Sequence, residues 1–313
     1  MKALVTGVTG FVGAVLARRL LRDGAEVHAV VRDSSPRWRI ADIEADLALH
    51  ALDLADRGAV GSLIGSVRPD EVFHLAAHGA YSWQDDTHEI VRSNVLATTA
   101  LVDACVATGC RAFVHAGSSS EYGYKSHAPG EVEALEPNSA YAVAKAFGTH
   151  YCAWSAADRR LPAVTLRLYA VYGPWEEPRR LIPSLLSAAI ENRLPPLAAP
   201  EIARDFVFVE DVATAFVSAA AHAAGGGTGV YNVGSGRQTS LGELVERVRR
   251  LFHVSVEPDW KSMDARAWDT DVWVSDPSRA ARELNWRAET PLDDGLLATA
   301  EWLRRRTPDA AHS

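Results

Sequence analysis

The stretch that decides the fold is Ala3-Leu4-Val5-Thr6-Gly7-Val8-Thr9-Gly10-Phe11-Val12-Gly13. Ala3 to Val5 reads as a short buried strand. Gly7, Gly10 and Gly13 follow with the spacing G-x-x-G-x-x-G, and an amphipathic run from Phe11 to Arg22 opens directly from them. Strand, glycine turn and helix in that order make a phosphate-binding unit. Glycine permits the tight turn, and its missing Cβ lets backbone approach a pyrophosphate. The helix start then supplies unpaired N–H groups and partial positive charge. This context is what a glycine motif needs to carry weight.

Outward from that unit the first half alternates strand and helix. Val27–Val31, Val72–Leu75, Ala112–His115 and Ala163–Leu168 read as further strands, with helical runs such as Val95–Thr108 between them. Apolar strands alternating with helices predict βαβ units, an α/β class and a doubly wound parallel sheet. After Tyr169 prolines crowd in (Pro174, Pro178, Pro183, Pro195, Pro196, Pro200), and Gly225-Gly226-Gly227 makes a break. The predicted organisation is a dinucleotide-binding domain from 1–168 plus 204–225. A smaller C-terminal substrate-binding domain takes 169–203 plus 226–313. Of the nine tryptophans, Trp260, Trp268, Trp273, Trp286 and Trp302 lie late in the chain. They read as core aromatics, with stacking on a ligand base as the alternative.

The 313 residues carry a formal charge of −8, which argues against nucleic acid or an anionic membrane as partner, since both select basic surfaces. No apolar run comes near the ~18 residues a bilayer requires. The chain enters its first strand after a single lysine, so a signal peptide is not expected. Cys105, Cys110 and Cys152 have neither metal nor disulfide spacing and read as reduced thiols of a cytoplasmic protein.

Two further runs carry chemistry. Tyr141-Ala142-Val143-Ala144-Lys145 places Tyr and Lys at i and i+4 on one helix face. A phenol of ordinary pKa ~10 exchanges protons poorly at neutral pH, and a neighbouring ammonium is expected to lower it. Gly117-Ser118-Ser119-Ser120-Glu121-Tyr122-Gly123 sits directly after a predicted strand, where a hydroxyl can meet a substrate carbonyl. At the end of the second strand, Val31 stands where an NAD enzyme usually holds an acid. Arg32 and Ser34 follow and offer donors to a 2′-phosphate, which favours NADP(H). Asp33 is the rival reading, as a ribose ligand.

Together these motifs resemble the extended short-chain dehydrogenase/reductases of the NAD-dependent epimerase/dehydratase family, which act on nucleotide-activated sugars. Asp53-Leu54, His74-Leu75-Ala76-Ala77, Asn94, Leu166-Arg167, Tyr172-Gly173-Pro174 and Arg204-Asp205-Phe206 match as well. The resemblance implies a Rossmann domain and a cofactor site of Gly7, Gly10, Phe11, Val12, Gly13, Arg32, Ser34, Asp53, Leu54, Ala76, Ala77 and Asn94. Tyr141 and Lys145 would touch the cofactor too. Ser118, Tyr141 and Lys145 would be catalytic. Tyr81, Ser119, Ser120, Arg180, Arg204 and Arg266 would hold the nucleotide sugar. The family's dimers imply a homodimer through the helices near Val95–Thr108 and Ala140–Ala157.

Within that family, sugar 4,6-dehydratases resemble this chain but carry Asp-Glu after the catalytic hydroxyl, where Ser119 and Ser120 stand. Glu121 is displaced by one residue and is expected to turn elsewhere. The Gly79–Trp83 and Gly117–Gly123 runs are similar to those of 4-keto-6-deoxyhexose reductases. The reading is therefore NADPH-dependent reduction of a nucleotide-linked 4-keto-6-deoxyhexose. A 4-epimerase with tightly held NAD is the alternative.

Overall fold

The computed structural model describes residues 1–263 and 270–306. Seven parallel strands form the main sheet: β1 (Lys2–Thr6), β2 (Glu26–Val31), β3 (Ala48–Ala51), β4 (Glu71–His74), β5 (Ala112–Ser118), β6 (Ala163–Leu168) and β9 (Gly229–Val233). Their spatial order is β3-β2-β1-β4-β5-β6-β9. The order reverses between β1 and β4, so a crevice opens at the carboxyl ends of those two strands, where such sheets bind ligands.

Helices cover both faces because the central strands are apolar on both. α1 (Phe11–Arg22), α7 (Val209–Ala224) and α9 (Ser278–Glu283) pack Leu16, Leu20, Val212, Phe216 and Ala280 onto one face. α2 (Arg57–Val67), α4 (Ala97–Thr108) and α5 (Ala140–Arg159) pack Val60, Ile64, Leu101 and Cys152 onto the other. Each large apolar side chain fully buried in this way contributes roughly 1.5–3 kcal/mol. The three cysteines are free and buried. Trp286 is a core aromatic, its Nε1 donating to the Asp211 carbonyl at 2.8 Å.

A second sheet of three strands, β10-β8-β7, joins β7 (Ala170–Tyr172), β8 (Ala203–Phe208) and β10 (Gln238–Ser240). It packs with α6 (Leu181–Ile190), α8 (Leu241–Phe252) and α10 (Leu292–Arg305) around Leu185, Leu186, Leu244, Val245 and Leu296.

The chain is divided differently from the expected 1–168 plus 204–225 and 169–203 plus 226–313. β8 lies in the small sheet and not in the large one that the sequence predicts for it. β9 pairs in parallel with β6, so 229–233 belongs to the large sheet. The glycine break before β9 masked a strand whose Tyr231, Asn232 and Val233 are buried. The helical run read from Val95 begins earlier, with α3 (Thr87–Val91) joined to α4 by a π turn at Arg92–Leu96. The joined helix Thr87–Thr108 is long and apolar enough to cross a membrane by length and composition, contrary to the reading of short apolar runs. Polar residues interrupt its sequence, and its buried side chains, Leu101 and Cys105 among them, pack against neighbouring helices and the sheet.

Candidate active site

The glycine turn is built by close contact. Gly7 has φ +73°, and a Cβ there would sit 2.6 Å from the Ala76 nitrogen. A Cβ on Gly13 would lie 2.2 Å from the Gly7 carbonyl oxygen. Gly10 is the N-cap of α1 and offers no side-chain cap, so the first N–H groups, at Phe11, Val12 and Gly13, stay available. A cradle that a side chain would fill, with unpaired donors at its rim, fits the pyrophosphate of a dinucleotide.

The β1–β2 register pairs Thr6 with Val30, so the glycine turn and Arg32 leave the sheet side by side. Val31 is buried in the core, while Arg32, Asp33 and Ser34 are exposed. Asp53 follows β3. Its carboxylate accepts from the Ala55 N–H at 2.9 Å and pairs with Arg92. Leu54 packs against the core beneath.

A polar chain links this turn to the π turn. Thr6 Oγ1 bonds His74 Nδ1 at 2.8 Å, and Thr98 Oγ1 bonds His74 Nε2 at 2.9 Å. Burial lowers His74 to about 3, so it is neutral. Thr98 Oγ1 donates in turn to the Asn94 carbonyl. Ala76 N–H donates to Thr6 Oγ1 at 3.2 Å, and Ala77 stands exposed beside it. Asn94 spends its side chain on the backbone of His78, donating to its carbonyl at 2.7 Å and accepting from its N–H at 3.1 Å. It therefore holds the loop that carries Ala76, Ala77 and Tyr81.

Ser139 caps α5 through the Ala142 N–H at 3.1 Å and sets the first turn against the end of β5. There the Tyr141 hydroxyl is hydrogen-bonded to Ser118. Ser118 Oγ also lies 2.8 Å from Ser120 Oγ. Lys145 Nζ is 5.9 Å from the Tyr141 ring centre and donates to the Ala116 carbonyl at 2.9 Å. Burial pushes Tyr141 up to about 12 and Lys145 down to about 8. The expected lowering of the tyrosine by Lys145 is thus not found. Desolvation dominates, and the ammonium is turned onto backbone.

Glu121 has turned away as expected. Fully buried, it accepts from the Ser118 N–H, from Thr149 Oγ1 and from Arg167 Nε, each at 2.8 Å. Ser119 Oγ accepts from Trp273 Nε1 at 3.2 Å, and the Arg204 guanidinium stands 5.7 Å from the Trp273 ring. Asp205, fully buried, accepts from the backbone N–H groups of Ser235, Gly236 and Ser275, which anchors the loop that presents Trp273. The sequence offers Trp273 only as one of several late tryptophans. Its place beside Ser119 depends on a contact 154 residues apart.

On the other side, a Cβ on Gly79 would touch Ile90 at 2.8 Å and the Tyr141 ring at 3.3 Å, so the Tyr81 loop lies against the tyrosine. Tyr81 stacks on Trp83 at 4.7 Å, and the Arg180 guanidinium is 5.8 Å from its ring. Ser118, Tyr141, Tyr81 and Arg180 are brought together on this side, and Ser119, Trp273 and Arg204 on the other. Arg266 and Trp268 lie outside the described residues.

A family model for the NAD dependent epimerase/dehydratase family matches residues 3–234. The chain belongs to that family. Among members of this epimerase/dehydratase family, it is 31% identical to the UDP-glucose 4-epimerase of Mycolicibacterium smegmatis over 98% of this chain and 100% of that protein. It is 26% identical to a trifunctional UDP-glucose 4,6-dehydratase/UDP-4-keto-6-deoxy-D-glucose 3,5-epimerase/UDP-4-keto-L-rhamnose-reductase of Arabidopsis thaliana over 96% of this chain. The chain spans only 46% of that protein's length. Among solved structures it is similar to MoeE5 in complex with UDP-glucose and NAD, at TM-score 0.84 and 31% identity, covering 97% of this chain and 99% of that one.

Proposed function

We propose that the protein is an NADPH-dependent 4-ketoreductase that reduces the C4 ketone of a nucleotide-activated 4-keto-6-deoxyhexose. One observation carries this reading: burial holds the Tyr141 phenol protonated on Ser118, and the carboxylate that bears on it, Glu121, is turned onto Arg167 and Thr149. Loss of water across C5–C6 needs acidic groups where Ser119 and Ser120 stand. Glu121, the one carboxyl in the 117–123 run, is spent on Arg167 and Thr149. Oxidising a hydroxyl, the first half of an epimerisation, needs Tyr141 to receive a proton as phenolate. Reducing a ketone needs it to give one, and its burial favours the form that gives.

Gly7, Gly10 and Gly13 would hold the pyrophosphate, Arg32 and Ser34 the 2′-phosphate, Asp53 and Leu54 the adenosine, and Asn94, Ala76 and Ala77 the nicotinamide side. A nicotinamide cofactor bound there supplies the hydride. Tyr141 gives its proton to the oxygen at C4, and Ser118 stabilises that oxygen by hydrogen bonding as charge develops. Lys145 stays behind the tyrosine and orients it through α5. Arg204, Arg180 and Arg266 would meet the diphosphate or the sugar. Tyr81, Ser119 and Ser120 would line the sugar. Two copies would pair through the π turn with α4 and through α5, which expose Leu96, Val143 and Trp154. The reduced thiols suit a cytoplasmic setting.

The full-length likeness to a UDP-glucose 4-epimerase favours a second reading, a 4-epimerase that keeps NAD. The test separates the two. The purified protein is denatured, and any released cofactor is identified by mass. NADPH and NADH are then titrated, and 4-keto sugars on each nucleotide are screened for NADPH oxidation. Little retained cofactor with tighter NADPH binding supports the reductase. Stoichiometric retained NAD establishes the epimerase instead.

A further inference from the structure

Glu176 is a buried carboxyl that none of the roles above uses. It is 5% exposed, and its Oε2 has no hydrogen-bond partner. Its Oε1 lies 3.6 Å from Arg180 Nε. Leaving a buried carboxyl oxygen unmatched costs the full desolvation of that group, so such a residue calls for a reason.

The backbone just before it is arranged at a cost. Trp175 has φ +75°, a left-handed conformation that a bulky residue adopts only when its surroundings impose it. Those surroundings are visible. Arg39 Nε donates to the Trp175 carbonyl at 2.8 Å, and the Arg18 guanidinium covers its ring at 3.9 Å. Trp302 and Trp38 pack at 5.4 and 6.2 Å. The strained turn drives the next residue, Glu176, inward between Arg180 and Tyr81. The charges of Arg180 and Glu176 both bear on the Tyr81 hydroxyl, and those of Arg180 and Tyr81 bear on Tyr141. An unmatched polar atom therefore lies near Tyr81, whose loop packs against the proton donor.

We propose that Glu176 is a specificity-determining residue of this site, its free carboxyl oxygen donating a hydrogen bond to an oxygen of the sugar ring of a bound nucleotide sugar. The proposal rests on the nucleotide-sugar reading above. Burial supports it by pushing Glu176 up to about 8, so the carboxyl keeps its proton at neutral pH. The charged and titratable groups facing it are Arg180 and Glu177 in its own segment, Arg39 from the turn after β2, Tyr81 from the loop after β4 and, behind Tyr81, Tyr141 on α5. Above pH 8 the donor is lost, and a negative charge appears beside an anionic ligand.

The experiment uses the full chain and calorimetry with four probe pairs: UDP and UDP-glucose, dTDP and dTDP-glucose, GDP and GDP-mannose, CDP and CDP-glucose. The pair bound most tightly is carried forward. Glu176→Ala is expected to weaken the nucleotide sugar about tenfold and leave the nucleotide unchanged. Glu176→Gln keeps a donor and should stay within about threefold at pH 7. For the wild type, affinity for the sugar nucleotide relative to the nucleotide should fall about tenfold from pH 7 to pH 9, if only the neutral acid binds. Glu176→Gln should abolish that fall. Equal losses for nucleotide and nucleotide sugar in Glu176→Ala, or a pH profile that Glu176→Gln does not flatten, would reduce Glu176 to a turn residue and overturn the proposal alone. A wild type that binds none of the eight probes overturns the nucleotide-sugar reading together with it.

Discussion

Replacing Glu121 by alanine should destabilise the fold by about 3–5 kcal/mol, the usual cost of removing one partner from a buried ion pair. The structure supplies the terms. Arg167 is 2% exposed, so it would keep a buried charge with its nearest anion gone. The Thr149 hydroxyl and the Ser118 N–H would each lose a 2.8 Å acceptor. Arg167 retains the Tyr122 hydroxyl at 2.8 Å and the Glu131 carbonyl at 3.1 Å, which keeps the loss within that range. For 313 residues the unfolding entropy is about 0.66 kcal/mol per kelvin, so Tm should drop by roughly 5–8 °C. Urea unfolding followed by tryptophan fluorescence measures the loss directly. The double variant Glu121→Leu with Arg167→Met should recover most of it, because it leaves no unpaired charge. A loss below ~1 kcal/mol for Glu121→Ala would refute the assignment of Glu121 to the core. So would a Glu121→Gln protein of wild-type stability whose turnover has collapsed, since that pattern belongs to a group engaged in the chemistry.

Tyr141→Phe should lower ketone reduction by about 10²- to 10⁴-fold while cofactor binding, followed by fluorescence titration, is retained. Arg32→Ala should weaken NADPH roughly ten- to a hundredfold and leave NADH unchanged, the value of charge-assisted bonds to a phosphate. Lys145 has a folded pKa lowered to about 8, so the unfolded chain binds more protons above that value. Stability should therefore rise from pH 8 to pH 10 in the wild type, and the rise should shrink in Lys145→Met when both are unfolded in urea.

The elements with strong patterning were legible in the sequence. α1 falls on the run Phe11–Arg22 and β6 on Ala163–Leu168, because both bury one consistent apolar set. β3 was not legible. Ala48–Ala51 is a short edge strand, half exposed, with one large apolar residue, so it lacks the signal of a strand covered on both faces. β7, β8 and β10 are short or mixed in burial for the same reason. In the site, the glycine turn and the Tyr141/Lys145 pair could be read from spacing, since each lies within a single turn of chain. The direction of the Tyr141 shift could not. It depends on where Lys145 points, and α5 packs it onto the Ala116 carbonyl. Glu176 was equally hidden. A glutamate among prolines and arginines looks solvated, and only the left-handed turn at Trp175 buries it.

The path of the chain between the two sheets bears on how members of this fold can be recombined. β6 ends at Leu168, yet its outer neighbour β9 arrives only at Gly229, after the chain has already supplied β7 and β8 to the small sheet. A protein cut after residue 168 would present β6 as a bare edge, a template for pairing between molecules. Exchange of the small layer between relatives cannot use one crossover. A working chimaera must replace 169–208, 234–277 and 287–306 together and leave 209–233 and α9 with Trp286 in place, because α7, β9 and α9 belong to the core of the large sheet.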